Sequence, residues 1–173
     1  MNEKPTTPIT TSKTKCAGDE VIPTLTTGFE SDLWYADKLV TIFIQKGSEY
    51  TPENVPQQDM NFYIIREQNG CVSDTAIASL HVIQQPTFEI DSVSVVQCRL
   101  DDAVQLNAIN LDIDYHIDNT IEGKVYWYFN KNTTEGDSFT PNATELQVGK
   151  NMIYAQYFVT REGTTCASKQ QAV

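Results

Sequence analysis

The chain has 173 residues, with Lys+Arg 12 against Asp+Glu 23 and a formal net charge of −11. The deficit is even, −5 over residues 1–86 (6 basic, 11 acidic) and −6 over 87–173 (6 basic, 12 acidic), which disfavours a polyphosphate backbone or an anionic bilayer as partner, so neither nucleic acid nor direct membrane insertion is expected. No apolar run reaches the ~18 residues of a spanning helix and the start MNEKPTTPITT lacks a signal-peptide core, so the expectation is a segment of a longer, exported parent whose targeting signal lies upstream.

In chain order, short segments rich in Val, Ile, Thr, Tyr and Phe alternate with Gly, Asn, Asp and Pro, the pattern of strands at sandwich spacing. They predict strands near 7–12, 20–27, 32–36, 39–45, 60–66 and 72–83, then near 88–96, 102–109, 124–130, 151–160 and 166–173. Glu67-Gln68-Asn69-Gly70 is a tight-turn signal that makes a hairpin of the strands around it. Gln84-Gln85-Pro86-Thr87 reads as a short, proline-stiffened linker. No segment carries helical periodicity.

The two halves share one grammar. Cys16, Asp19 and Val21 answer to Cys98, Asp101 and Val104; Trp34-Tyr35 to Trp127-Tyr128; and Gly47-Ser48-Glu49-Tyr50-Thr51-Pro52 to Gly136-Asp137-Ser138-Phe139-Thr140-Pro141. Each copy closes on an aromatic strand, Phe62–Glu67 before Cys71 and Tyr157–Glu162 before Cys166, with Arg-Glu five and four residues ahead of the cysteine. The chain therefore reads as all-β, two tandem sandwich domains over 1–85 and 86–173. Cys98 lies 29 residues before Trp127 but Cys16 only 18 before Trp34, which places an insertion at about Asn110–Glu122 in the second copy.

Four cysteines allow three pairings, and the repeat selects Cys16 with Cys71 and Cys98 with Cys166, one bridge per domain. Each would close more than fifty residues, worth about 4 kcal/mol on the chain-entropy model. A four-cysteine zinc site needs C-x-x-C pairs, which are absent. Relative to antibody domains, where the second cysteine follows a corner tyrosine by two residues, Cys71 falls eight after Tyr63, so the bridge is expected to staple one end of the sandwich.

Trp34 and Trp127 read as inward indoles, and Tyr50 and Phe139 as plugs pinning a loop. Sugar stacking would need exposed, coplanar rings, for which Tyr35, Tyr128 and Phe129 are the candidates. His81 and His116 are the only bases titrating near neutrality, and no nucleophile or Gly-rich phosphate loop pairs with either in the sequence, so catalysis is not expected. Asp112, Asp114 and Asp118 fall in the insertion at a spacing that would share one face of a strand and are weak calcium candidates, the one cofactor contemplated, though no Asp-x-Asp-x-Asp-Gly loop accompanies them.

The ordered set of Cys-x-x-Asp, Trp-Tyr, Gly-x-x-aromatic-Thr-Pro and an aromatic strand ending near a cysteine resembles the Ig-like repeats of very large Bacteroidetes surface proteins, including gliding-motility adhesins exported by type IX secretion. The resemblance spans essentially the whole chain, twice. It implies two immunoglobulin-like sandwiches at the cell surface, a non-catalytic adhesin or stalk segment whose partners are neighbouring Ig-like repeats, surface glycans or other cell-surface proteins. An accessory, carbohydrate-binding module of a secreted glycan-degrading protein is the alternative. Asp74-Thr75-Ala76 and Asp91-Ser92-Val93 resemble the Bacteroidetes O-glycosylation acceptor, making Thr75 and Ser92 glycan candidates, while Asn132-Thr133-Thr134 and Asn142-Ala143-Thr144 fit the eukaryotic N-glycan acceptor.

Overall fold

In the first half of the chain, β6 (Met60–Gln68) alternates buried Phe62, Ile64 and Arg66 with half-buried Tyr63 and Ile65, the period of a strand with one face in a core. The structure, a computed structural model, describes residues 2–91, 104–111 and 121–173. It divides into two compact units, Met1–Gln84 and Gln85–Val173.

The first unit holds β1 (Lys13–Cys16), β2 (Leu25–Thr26), β3 (Asp32–Tyr35), β4 (Phe43–Lys46), β5 (Glu49–Tyr50), β6, β7 (Cys71–Val72) and β8 (Ala76–Ile83). One sheet runs β1-β8-β6-β3-β4 with β7 on the end of β6, and β2 and β5 form the second. Pairing is antiparallel except for β1, which lies parallel to β8 from Lys13↔Leu80 to Cys16↔Ile83. Leu25, Trp34, Phe62, Ile64, Ala78 and Leu80 form the core between the sheets.

The second unit holds β9 (Glu89–Asp91), β10 (Leu106–Ile109), β11 (Ile121–Phe129), β12 (Asn132–Glu135), β13 (Ser138–Phe139), β14 (Tyr154–Arg161), β15 (Thr164–Ala167) and β16 (Gln171–Ala172). Its sheets run β13-β10-β9 and β12-β11-β14-β15, with β16 on β14. In both units the chain crosses between the two sheets more than once, and a fully buried tryptophan sits on an interior strand, β3 or β11. That order and that indole make each an immunoglobulin-like sandwich.

Several strands differ from expectation. Residues 39–42, expected within a strand, form a loop because the Asp37 carboxylate accepts the N–H groups of Leu39, Thr41 and Ile42 and the Thr41 hydroxyl, at 2.6–3.2 Å. The predicted strand at 72–83 is broken at Ser73, whose hydroxyl accepts the Arg66 N–H while its own N–H donates to the Arg66 carbonyl. Ser168 makes the same pair of bonds with Tyr157. The first strand forms at 13–16, not 7–12, and β12 was not foreseen. The expected insertion lies mostly outside the described residues.

Candidate functional site

The two copies are closed by one device. Trp34 donates its indole N–H to the Gly47 carbonyl and Trp127 to that of Gly136, both at 2.8 Å. Each glycine in turn donates its N–H to the carbonyl two residues before its tryptophan, Asp32 or Val125. Gly47 and Gly136 sit at φ 155 and 150, a conformation that penalises any residue with a Cβ. The plugs then close over the indoles: Tyr50 lies 5.7 Å from Trp34 and Phe139 is stacked 5.9 Å from Trp127. Burial, with Glu53 adding to it, pushes the Tyr50 phenol up from its ordinary value.

One rung away the copies diverge. Asp32 pairs with Arg66 across β3 and β6, where the second unit pairs Val125 with Tyr157. The guanidinium makes two bonds to the carboxylate, 2.7 and 3.0 Å, with the side chains 8% and 0% exposed. Thr6 Oγ1 accepts a third bond at 3.1 Å and the Phe29 ring lies 3.8 Å under the guanidinium carbon. Hydrogen bonding to Asp32 raises the Arg66 pKa further above its already high value. The Arg-Glu match ahead of each cysteine is not a structural equivalence: Arg66 occupies the Tyr157 rung, and Arg161 lies in a hairpin two rungs longer.

The cysteines correct the expected bridging. Cys71 is a free thiol, while Cys16 and Cys166 are each disulfide-bonded, so Cys16 and Cys71 are not joined. Strand direction is the reason. Cys16 lies opposite Ile83 at the end of β8 and Cys71 opposite Gln68 at the far end of β6, and β6 and β8 run antiparallel for most of their length. Cys71 and Cys166 nonetheless occupy the same ladder position, two residues before the Ser73 and Ser168 bulges. Cys98 lies outside the described residues, as do Ser92, His116 and the calcium candidates Asp112, Asp114 and Asp118.

Of the stacking candidates, Phe129 is buried, and Tyr35 and Tyr128 are half-buried. Tyr35 meets exposed Phe43 edge-on, at 5.7 Å and 71°, and Tyr126 meets Phe158 at 5.4 Å and 83°, so these rings do not form a flat platform. The Tyr126 hydroxyl donates to Glu135, which raises its pKa, and the same carboxylate raises that of Lys124. Thr75 is exposed, as is Asn132 on β12.

Beside β4 a cleft of about 480 Å³ is lined by Ile44, Tyr50, Val55 and Met60, with Glu53 its one ionisable carboxylate. Its Thr51 hydroxyl is hydrogen-bonded to that of Thr24, 2.7 Å away, and no histidine, cysteine or lysine lines it. Sequence missed this cleft because its walls come from β4, β5 and the following loop. His81 Nδ1 lies 2.9 Å from Asp59, whose other oxygen accepts the Val82 N–H; that aspartate, 22 residues away, carried no signal in the sequence. Among the described residues no three His, Cys, Asp or Glu side chains gather as metal ligands, and no helix is long and apolar enough to cross a membrane. A disulfide forms and persists in oxidising surroundings, which suits a secreted or surface protein.

No family model matches the chain, and no curated protein matches it. Among solved structures it is similar to the crystal structure of chicken CNTN1 FN1-FN3 domains, at 9% identity and a TM-score of 0.37, over 96% of this chain. The chain spans 63% of that structure's length.

Proposed function

We propose that the chain is a non-catalytic repeat segment of a long bacterial cell-surface adhesin or filament, acting as spacer or adhesive stalk and associated with gliding motility. The observation that carries the reading is the duplicated closure of Trp34 on Gly47 and Trp127 on Gly136. Two separately cored units of one design are what a load-bearing array is built from. The Bacteroidetes-type repeat pattern in the sequence supports the same reading. Its partners on this view are further Ig-like repeats and surface glycans or proteins.

An antibody raised to the chain tests this on intact parent cells. Surface labelling, with loss of attachment or of surface movement when the coding region is deleted, is expected. Labelling confined to the cytoplasm, or a released protein that degrades polysaccharide, overturns it. One alternative is a carbohydrate-binding module of a secreted glycan-degrading protein, for which the half-buried Tyr35 and Tyr128 are the stacking candidates. Retention on a polysaccharide affinity gel, lost in Tyr35→Ala or Tyr128→Ala, would identify it.

A further inference from the structure

The outer strand beside the Trp-bearing strand differs sharply between the copies. β12 is Asn132-Thr133-Thr134-Glu135, polar and exposed throughout, and reaches β11 by a two-residue turn, Asn130-Lys131, with both φ positive. Such an edge is blunted against pairing. β4 begins with Phe43 and is entered through the Asp37 loop, which leaves Leu39 81%, Ile42 59% and Phe43 56% exposed. Val40 in that loop is held at φ 58, an uncommon conformation for a β-branched residue. Asp37 fixes the loop through the four bonds described above, so the apolar side chains are displayed on a rigid support. On its outer side β4 pairs with no described strand.

We infer that β4 is a self-association edge, pairing antiparallel with β4 of a second copy of this chain about a two-fold axis. The faces fit. Phe43 lies opposite Tyr35 and Lys46 opposite Leu33, both on the outer face, because the ladder shifts register at Trp34/Tyr35. A two-fold pairing that sets Phe43 against Lys46 of the other copy therefore keeps both on one face, and each ammonium lies beside an aromatic ring instead of its own equivalent. Ile44 and Gln45 then oppose each other. Since β12 is polar, the chain has one outer strand of this kind that carries exposed apolar side chains among the described residues, and an isologous contact through a single edge closes at two copies. Three exposed apolar side chains and a four-residue edge bury roughly 1,000 Å² over both copies, the low end for a specific interface. The dimer is accordingly weak, and repetition along an array would strengthen it by avidity.

Sedimentation of the chain with its thiols alkylated, over a hundredfold range reaching about 1 mM, reads the result. The mass is expected to climb from 19.5 kDa toward twice that value. Phe43→Glu should weaken association by about tenfold or more, as should Leu39→Ser with Ile42→Ser. Thr133→Glu on β12 should leave it unchanged. Near-UV circular dichroism checks that each variant retains the native fold, and the loop double variant decides the matter if Phe43→Glu does not. A chain that stays monomeric throughout, associates only without alkylation, or dimerises equally in the Phe43 and loop variants overturns the proposal.

Discussion

Replacing Asp32 by Asn separates what the buried ion pair contributes from what its burial costs. The substitution keeps the volume but leaves the Arg66 guanidinium, 8% exposed, without its counter-charge. Thr6 and Phe29 remain against it, but a hydroxyl and a ring face do not balance a full charge. Breaking a buried pair in this way costs about 3–5 kcal/mol, and these residual contacts argue for the lower end. At roughly 0.05–0.15 kcal/mol per residue the 84-residue unit has about 4–13 kcal/mol in total, so the loss is a large fraction of it. With a urea slope near 1 kcal/mol per molar, the midpoint should fall by about 3 M. Asp32→Val with Arg66→Leu should recover all or most of this, because the second unit already holds an uncharged pair, Val125 and Tyr157, at the same rung. Urea titration followed by tryptophan fluorescence suits the measurement, since each unit has one buried indole. A midpoint shift below about 1 M for Asp32→Asn, or a double variant no more stable than the single, would refute the reasoning.

Three further outcomes are expected. Gly123→Ala should destabilise the second unit by about 1–3 kcal/mol, read from the Trp127 transition, because its Cβ would run into the hydroxyl of buried Tyr157 and stand 2.9 Å from the ring; an unchanged transition counts against that packing. Alkylation of the unreduced protein followed by peptide mapping should label Cys71 and leave Cys16 and Cys166 untouched, whereas a Cys16–Cys71 peptide would contradict the strand directions described here. The Asp37 pKa is lowered, first by the hydrogen bond from the Ile42 N–H, so its carboxylate stabilises the loop above the ordinary aspartate value near 3.9 and that support fades as pH falls through the depressed folded value. The amide signals of Leu39, Thr41 and Ile42 should titrate together below that pH, and titration above it would reverse the sign.

The sandwich was legible because its signals are local. Alternation in 60–66, the Trp-Tyr pair and the Gly-x-x-aromatic-Thr-Pro motif each fall on a single element or turn, and the structure gives each motif the same role twice. The Cys16–Cys71 mismatch was not legible, because matching cysteines by repeat position says nothing of the end of the sandwich each one reaches. That depends on β1 running parallel to β8, a long-range fact without local sequence trace. The Arg-Glu match failed for a related reason: identical spacing to the cysteine conceals a hairpin two rungs longer, so Arg66 points into the core while Arg161 stands beside a turn. Leu39-Val40-Thr41-Ile42 reads as strand from its β propensity alone, and four hydrogen bonds to the Asp37 carboxylate outweigh that propensity.

What the copies retain and what they vary also bears on what the chain does. The retained set, indole to glycine carbonyl, glycine N–H back to the strand and an aromatic plug on the indole, lies inside each unit and fixes only the sandwich. The parts a partner could meet differ: β4 and its entry loop expose Leu39, Ile42 and Phe43 where β12 is polar, and Cys71 is free where Cys166 is bonded. Two copies serving one shared ligand would be expected to keep the same surface residues and tolerate change in the core. Here the core closure is kept and the surfaces have parted, which suits a frame repeated for length whose contacts are specialised unit by unit.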